Sequence, residues 1–416
     1  MGLAQAWRKL WEQKASAVAP LMIGFGASSA RLTPRRYDRL AEEGFRSNVV
    51  VYRCVKLVAQ CAAAVPWLLY EGSGARKREI ERHNLLDLLE RPNPTQAGAS
   101  LFESLFGYFL IAGNSYLEAV GGDGQAPREL WVLRPDRMTV IAGARGLPNA
   151  YRYSLDGRAV EFPVDAVSGR SAVLHVRGFH PLDDWYGLSP LEAAALAIDQ
   201  HNAAGKWNAA LLQNGARPAG ALVYAPANAD ASGLLTDAQR DQLKREIEEQ
   251  FSGAGNAGRP LVLEGGLEWR EMALNPKDMD WRAAKDLSAR EIAQAFHVPP
   301  QLLGIEGSLT FANFEQARLS FYEDAVLPLL DLVKDELNRW LVPRFGTALS
   351  LDYDPDQISA LMPRRREKWD AVRRADFLTV NEKRAALGYA PIAGGDEPLL
   401  RAAAPTTPTR LTRDDA

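Results

Sequence analysis

The sequence predicts an α+β fold and not a repeated βαβ one. Three observations carry this. Helix and strand patterns mix without regular alternation over residues 46–187, an alanine-rich helix pattern follows Ser189-Pro190, and two long helical patterns occupy most of 281–341. A doubled proline and a short glycine-bearing link separate those last two.

The elements follow in chain order. Residues 1–45 read as an irregular N-terminal arm. Arg8, Lys9 and Lys14 precede an apolar block as in a signal peptide, but Pro20 and several small polar residues interrupt it, and Trp7, Leu10 and Trp11 suit a docking arm better. Ser47 is placed to cap a helix whose buried face carries Val51, Cys54, Val58 and Cys61, and residues 65–70 read as a strand. A short helix, Asn84–Glu90, stops before Arg91-Pro92-Asn93-Pro94. Residues 101–111 form a strongly apolar helix broken by Gly113-Asn114, and strand signals follow at 115–120, 129–133, 138–141, 151–154 and 172–176.

Ser189 can cap the next helix, Pro190 suits its first position and Glu192 can complete a capping box, with Gly215 as a stop after Gln213. Residues 216–274 look like a separate small module of strand, helix, strand and strand. Thr236 and Gln239 can box its helix, 236–251, whose apolar stripe is only Leu243, Ile247 and Phe251. Its charged side chains Arg240, Asp241, Lys244, Arg245, Glu248 and Glu249 are therefore free for partners. Helix 281–296 ends at Val298-Pro299-Pro300, since a proline lacks the N–H and pushes its predecessor out of helical geometry. After the link, which carries Gly304, Gly307 and Ser308, a helix runs from Thr310 to about Trp340, with Pro328 expected to kink it. Residues 363–400 carry Arg364-Arg365-Arg366 and Arg373-Arg374, then a capping box at Thr379 and Glu382, and 401–416 read as a disordered low-complexity tail.

Composition narrows the function. A chain of 416 residues holds two to four domains, and its net charge of -3 gives no broad basic surface for duplex binding. Cys54 and Cys61 sit on one helix roughly 10 Å apart, too far to bridge, which fits a reducing compartment. No run of eighteen apolar residues suggests a spanning helix.

Apparent motifs fail on context. Residues 253–258 match G-x-G-x-x-G, but a helix precedes and a strand follows, the reverse of what a pyrophosphate needs. Residues 352–356 resemble a calcium loop, yet Gln357 and Pro363 stand where glycine and glutamate are required. His175, His180, Asp183 and Asp184 lack metal-ligand spacing and read as a polar turn. With no nucleophile elbow, zinc-protease or Walker motif, the sequence predicts no enzyme, no cofactor and no metal site.

Several short motifs stand in a fixed order. They are Val65-Pro66-Trp67 with Leu69-Tyr70, Arg91-Pro92-Asn93-Pro94, Gly113-Asn114-Ser115-Tyr116, Leu130 to Leu133 with Pro135, and His175 followed by Gly187-Leu188-Ser189-Pro190-Leu191. Ile292 to Pro300, Thr310 with Asn313-Phe314-Glu315-Gln316-Ala317, Asn381-Glu382-Lys383-Arg384 and Gly394-Gly395-Asp396 follow. Each is weak alone, but their co-linearity over about 45–400 resembles the portal, or head-to-tail connector, family of tailed phages, prophages and gene transfer agents.

The resemblance implies a homo-oligomeric, dodecameric ring at one capsid vertex, built from subunits with a wing, a helical stem, a small α/β clip and a short C-terminal crown. Residues 46–188 and 312–362 correspond to the wing, 189–215 and 275–299 to the two stem helices, 216–274 to the clip and 363–400 to the crown. The link at 300–311 corresponds to a tunnel loop, so Ile305, Glu306, Gly307, Ser308, Leu309 and Thr310 would face double-stranded DNA passing without sequence specificity. The clip residues Arg240, Asp241, Lys244, Arg245, Glu248 and Glu249 would meet a terminase-type packaging motor and later a head-tail adaptor. The major capsid protein is a further implied partner, with no membrane, and the location is the bacterial cytoplasm during assembly and then the virion or phage-like particle. One physical feature agrees independently: residues 277–297 carry four basic and four acidic residues, and 312–341 three basic and six acidic, so neither helix grips phosphate. The alternative is an oligomeric structural adaptor or scaffold without a DNA channel.

Overall fold

In this computed structural model the described residues are 37–72, 77–121, 126–144, 146–213, 220–224, 238, 241–242, 245, 267–271, 281–305 and 310–397. All of them belong to one compact unit, 34–416. A helical turn, Tyr37–Arg39, runs into a π-helix, Leu40–Arg46 (together α1). This corrects the expected irregular arm over its last nine residues, 37–45. The reason is tertiary: Leu40 is buried, and Gly44 lies so close to Leu191 that an added Cβ would stand 2.9 Å from its Cδ1.

The core is helix on helix. Helix α2 (Val49–Ala63) buries Val51, Cys54, Val55 and Val58 against α4 (Gly98–Ala112), which contributes Leu101, Phe102, Leu105 and Phe106. Each such side chain removed from water contributes roughly 1.5–3 kcal/mol. Between them lie strands β1 (Leu68–Glu71) and β2 (Arg78–Ile80) and helix α3 (Asn84–Glu90), whose Leu85 is fully buried. The cap of α2 is Asn48 and not Ser47: its side chain accepts from the amides of Val50 and Val51, while Ser47 Oγ turns back to the Glu42 carbonyl.

Three small antiparallel sheets accompany this pair. Strand β3 (Asn114–Val120) is central in one, between β4 (Glu129–Leu133) and β8 (Val173–Arg177), with Tyr116 opposite Leu133 on one side and His175 on the other. Strands β5 (Met138–Ile141), β6 (Ala150–Leu155) and β7 (Arg158–Pro163) form a meander, and β1 lies between β2 and β11 (Leu349–Asp352). The sequence pattern misses β2 and β7. Strand β7 shows no alternation against a core, since five of its six residues are exposed.

The Ser189 helix is two pieces, α5 (Pro190–Ala193) and α6 (Ala195–Gln213), where one continuous helix is expected. Ser189 Oγ accepts from the Glu192 amide at 3.0 Å, as its capping role requires. Helix α7 (Trp281–Ala295) packs against α6 and touches α2. Helix α8 (Phe311–Phe321) passes through a π-turn, Tyr322–Val326, into α9 (Leu327–Trp340), which buries Leu330, Val333 and Leu337. Pro328 thus meets a widened turn in a helix that continues through it. Helices α10 (Met362–Arg374) and α11 (Val380–Ala386) close the described chain, and the Thr379–Glu382 capping box is present in both directions.

One junction sets how the Ser189 helix leaves the sheet. Helix α4 ends on Gly113 in the left-handed conformation (φ 69°), and its carbonyl accepts from the Gly178 amide at 2.9 Å. Gly187 lies against it so closely that a Cβ on either glycine would overlap the other's carbonyl oxygen. Asn114 holds the contact: its Oδ1 accepts from Gly187 N at 2.8 Å and from His175 Nε2 at 2.9 Å, and its Nδ2 donates to the carbonyls of Ala112 and Gly187. Gly187→Ala should therefore destabilise the subunit by roughly 3 kcal/mol. Gly205→Ala, on α6 with nothing within 4 Å of its Cβ position, should stabilise it by about 1 kcal/mol. Denaturant unfolding of the two variants checks both signs.

Candidate functional site

The link between α7 and α8 is anchored at both ends. Beyond α7, His297 takes a positive φ of 53°, an uncommon conformation for a non-glycine residue, and Val298 N returns to the Ala293 carbonyl at 2.9 Å. Pro300–Leu303 form a 3-10 turn closed by Gly304 in the left-handed region, and Ile305 N bonds the Pro300 carbonyl at 3.2 Å. Leu302 and Leu303 pack against the main core. At the far end Thr310 Oγ1 accepts from Asn313 N at 3.3 Å and starts α8. Of the six expected tunnel-loop residues, Ile305 and Thr310 are these two anchors; Glu306, Gly307, Ser308 and Leu309 lie outside the described residues.

A second polar node ties α6 to α1 and α2. Asn48, the buried cap of α2, directs Nδ2 to His201 Nδ1 at 3.1 Å and to Asn202 Oδ1 at 3.0 Å, both on α6. Asn202 Nδ2 in turn donates to the Glu43 carbonyl of α1 at 2.7 Å. Because Asn48 Oδ1 is occupied by two backbone amides, its NH2 must donate, which fixes His201 as the neutral tautomer with Nδ1 accepting. Burial first, then Lys285 of α7, lower the His201 pKa, with Asp286 acting the other way. The sequence offers no short-range signal for this node, whose partners are about 150 residues apart.

Of the expected clip residues, Asp241 and Arg245 are described; both are exposed on helical backbone, and Arg245 Nε donates to the Asp241 carbonyl at 3.3 Å. Arg240, Lys244, Glu248, Glu249 and the glycines of 253–258 lie outside the described residues. Strands β9 (Gly220–Tyr224) and β10 (Leu267–Glu271) pair antiparallel, Leu267 opposite Tyr224. The residues weighed as metal ligands have structural roles. His175 stacks on Tyr116 with ring centroids 4.4 Å apart and bonds Asn114, while Asp183 accepts from the amides of Trp185 and Tyr186 in a local turn. Asp354 caps a short 3-10 turn through the Asp356 amide at 2.8 Å.

A family model described as phage portal protein matches residues 49–388. An uncharacterised protein of Rickettsia felis is 44% identical over 391 residues, covering 94% of this chain and 98% of the relative. The portal protein of Enterobacteria phage HK97 is 24% identical over 368 residues, covering 85% and 81%. Among solved structures, a chain in the neck of a native gene transfer agent particle, computed with C12 symmetry, is 44% identical, with a TM-score of 0.65 over 88% of this chain and 97% of that one.

Two outcomes follow from the buried groups. Asn48→Ala removes a helix cap, worth about 1 kcal/mol, and strands the His201 and Asn202 side chains, so a total loss of roughly 2–3 kcal/mol in unfolding free energy is expected. Burial pushes the His175 pKa down to about 3, whereas in the unfolded chain the ring takes up its proton near 6.5. The unfolded state then binds more protons between those values, so this stability is fully present above about pH 6.5 and is lost as pH falls toward 3. At pH 5 the loss from His175 should be roughly 2 kcal/mol. His201 acts in the same direction, and His175→Gln should flatten the slope of unfolding free energy between pH 7 and 5.

Proposed function

The chain belongs to the phage portal protein family and serves as a capsid portal subunit, and from that premise we propose that twelve copies enclose a channel through which double-stranded DNA is packaged and ejected. The observation that carries the proposal is the likeness, over most of both chains, to a chain in a particle neck of twelvefold symmetry. The subunit's own geometry supports a conduit. Two helices, α7 and α8, are presented on either side of a link whose ends are held by a 3-10 turn and a threonine cap. Residues 277–297 are balanced in charge and 312–341 are acidic, which keeps DNA from being trapped along its path, since each phosphate neutralised adds to salt-dependent binding.

In this reading α5, α6 and α7 form the stem, and 46–188 with 312–362 the wing that meets the major capsid protein. Residues 305–310 face the DNA as a tunnel loop, and 363–400 are the crown. The module at 216–274 is the clip, docking first a terminase-type motor and then a head-tail adaptor. Asp241 and Arg245 support this as exposed charges on one helical segment. Assembly begins in the bacterial cytoplasm and ends at one vertex of the particle.

Class averages of the purified protein in negative stain should show rings with a central hole; a stable monomer under all conditions, inside particles as well, would overturn the reading. Deleting residues 306–309 should leave rings intact and impair packaging or retention of DNA, and normal rates of both would remove the link from the channel. Reversing Lys244 and Arg245 to glutamate should cost under about 1 kcal/mol of subunit stability, as exposed charges do, and yet abolish binding of motor or adaptor in pull-downs. Unchanged capture of both would leave this helix outside the interface.

A further inference from the structure

Helix α10 carries six basic and two acidic residues, a net of +4 in a chain whose total is -3. Its two flanks differ in what they meet. Arg364 reaches Glu323 in the π-turn of the subunit's own long helix. At about 100° per residue, Arg366 lies roughly 200° round from Arg364, on the opposite flank, with Met362 and Trp369 beside it. The described part of the subunit covers that flank only in part, through Tyr389: Trp369 remains 42% exposed, and Arg366 has no ion pair among the described residues.

The open flank has an ordered composition. Arg365 stands over the Trp369 ring at 5.8 Å, Trp369 meets Tyr389 edge to face at 6.1 Å, and Arg384 stands over Tyr389 at 5.6 Å. Guanidinium and aromatic groups therefore alternate along the surface, held in place by hydrogen bonds such as Arg384 Nε to the Ala390 carbonyl at 2.8 Å. Met362, Arg365, Arg366, Trp369 and one acid, Asp370, line a concavity of about 370 Å³. Tryptophan, tyrosine and arginine in a concave patch are the residues that dominate protein interfaces. A duplex backbone would satisfy the arginines but leave Met362 and Trp369 uncovered.

We propose that this flank of α10 docks a second copy of the chain, namely the acidic long helix of the next subunit in the ring. Charge complementarity argues for that occupant. Residues 312–341 carry six acidic and three basic residues, and the Arg364–Glu323 pair already joins α10 to that helix within one subunit. In a ring each α10 is then held between two long helices, its own and its neighbour's, through opposite flanks. Such a head-to-tail contact uses two different surfaces and closes only as a ring. The inference rests on the ring assembly proposed above.

The test uses the full chain carrying Arg366→Glu and Trp369→Ala. Circular dichroism should show a normally folded subunit, while mass photometry should show rings dissociating at a protein concentration at least tenfold higher than the wild type. Wild-type rings should also loosen with salt more steeply than the variant's. Should the double variant lose its fold, Arg366→Glu alone carries the test, its side chain being exposed. Rings equally stable to dilution and salt in wild type and variant would overturn the proposal. If those equally stable rings bound a 30-base-pair duplex more weakly than the wild type, the flank would be a DNA contact instead. Wild-type protein that forms no ring at all would overturn the assembly itself, a result distinguishable from a failure of this interface alone.

Discussion

The contact of Gly113 with Gly187 is the constraint on which the rest of the subunit hangs. Two backbones meet with no side chain between them, and the Asn114 amide spans both. On one side of the contact the apolar helix α4 ends and strand β3 begins. On the other the chain leaves the β8 sheet and turns, two residues on, into the cap of the Ser189 helix. A larger residue at either glycine would separate the carbonyls and tilt α5 and α6 away from the core. The orientation of the whole helical arm is thus set by an atom-level fit far from its tip.

Asparagine recurs wherever two such elements must be joined. Asn114 links α4 to the Ser189 helix, Asn48 links α2 to α6 and through Asn202 to α1, and Asn381 binds the Ile392 carbonyl and amide and the Asp396 carboxylate at the end of the described chain. An amide supplies donors and acceptors together and carries no charge, so it satisfies buried backbone groups without the desolvation cost of an ion. Ion pairs in this subunit are left to half-exposed positions such as Lys77 with Asp352 or Arg152 with Glu161, where each contributes little. The junctions of the fold are accordingly insensitive to salt, while His175 and His201 make two of them sensitive to acid.

Much of this architecture is legible in the sequence because local chemistry and tertiary packing agree there. Helix α3 and strands β4 and β5 fall at their expected bounds, flanked by proline or by clear alternation. The doubled proline and glycine correctly mark the end of α7 and the anchors of the link. What is not legible depends on distant residues. The helical form of 37–46 is set by Leu191, and the cap of α2 passes from Ser47 to Asn48 because only Asn48 reaches α6. The break at Ala194 leaves no mark in an alanine-rich run, where every residue favours helix equally. Of the candidate sites, the ends of the link can be read from composition, whereas the Asn48 and His201 node and the arginine and aromatic ladder at Trp369 need the fold to bring them together.

The subunit's apolar surface bears on assembly. Its core is closed, with Leu85, Leu101, Leu105 and Ile292 fully buried, so folding does not wait on a partner for its interior. Its helices nonetheless leave large apolar side chains in water: Val49 at the start of α2, Leu196 on α6 and Leu287 on α7 are each more than half exposed. Scattered singly these would be ordinary, but they lie on three neighbouring elements, α7 packing on both α6 and α2. The same packing that fixes the direction of α6 and α7 therefore also decides which of their side chains stay exposed.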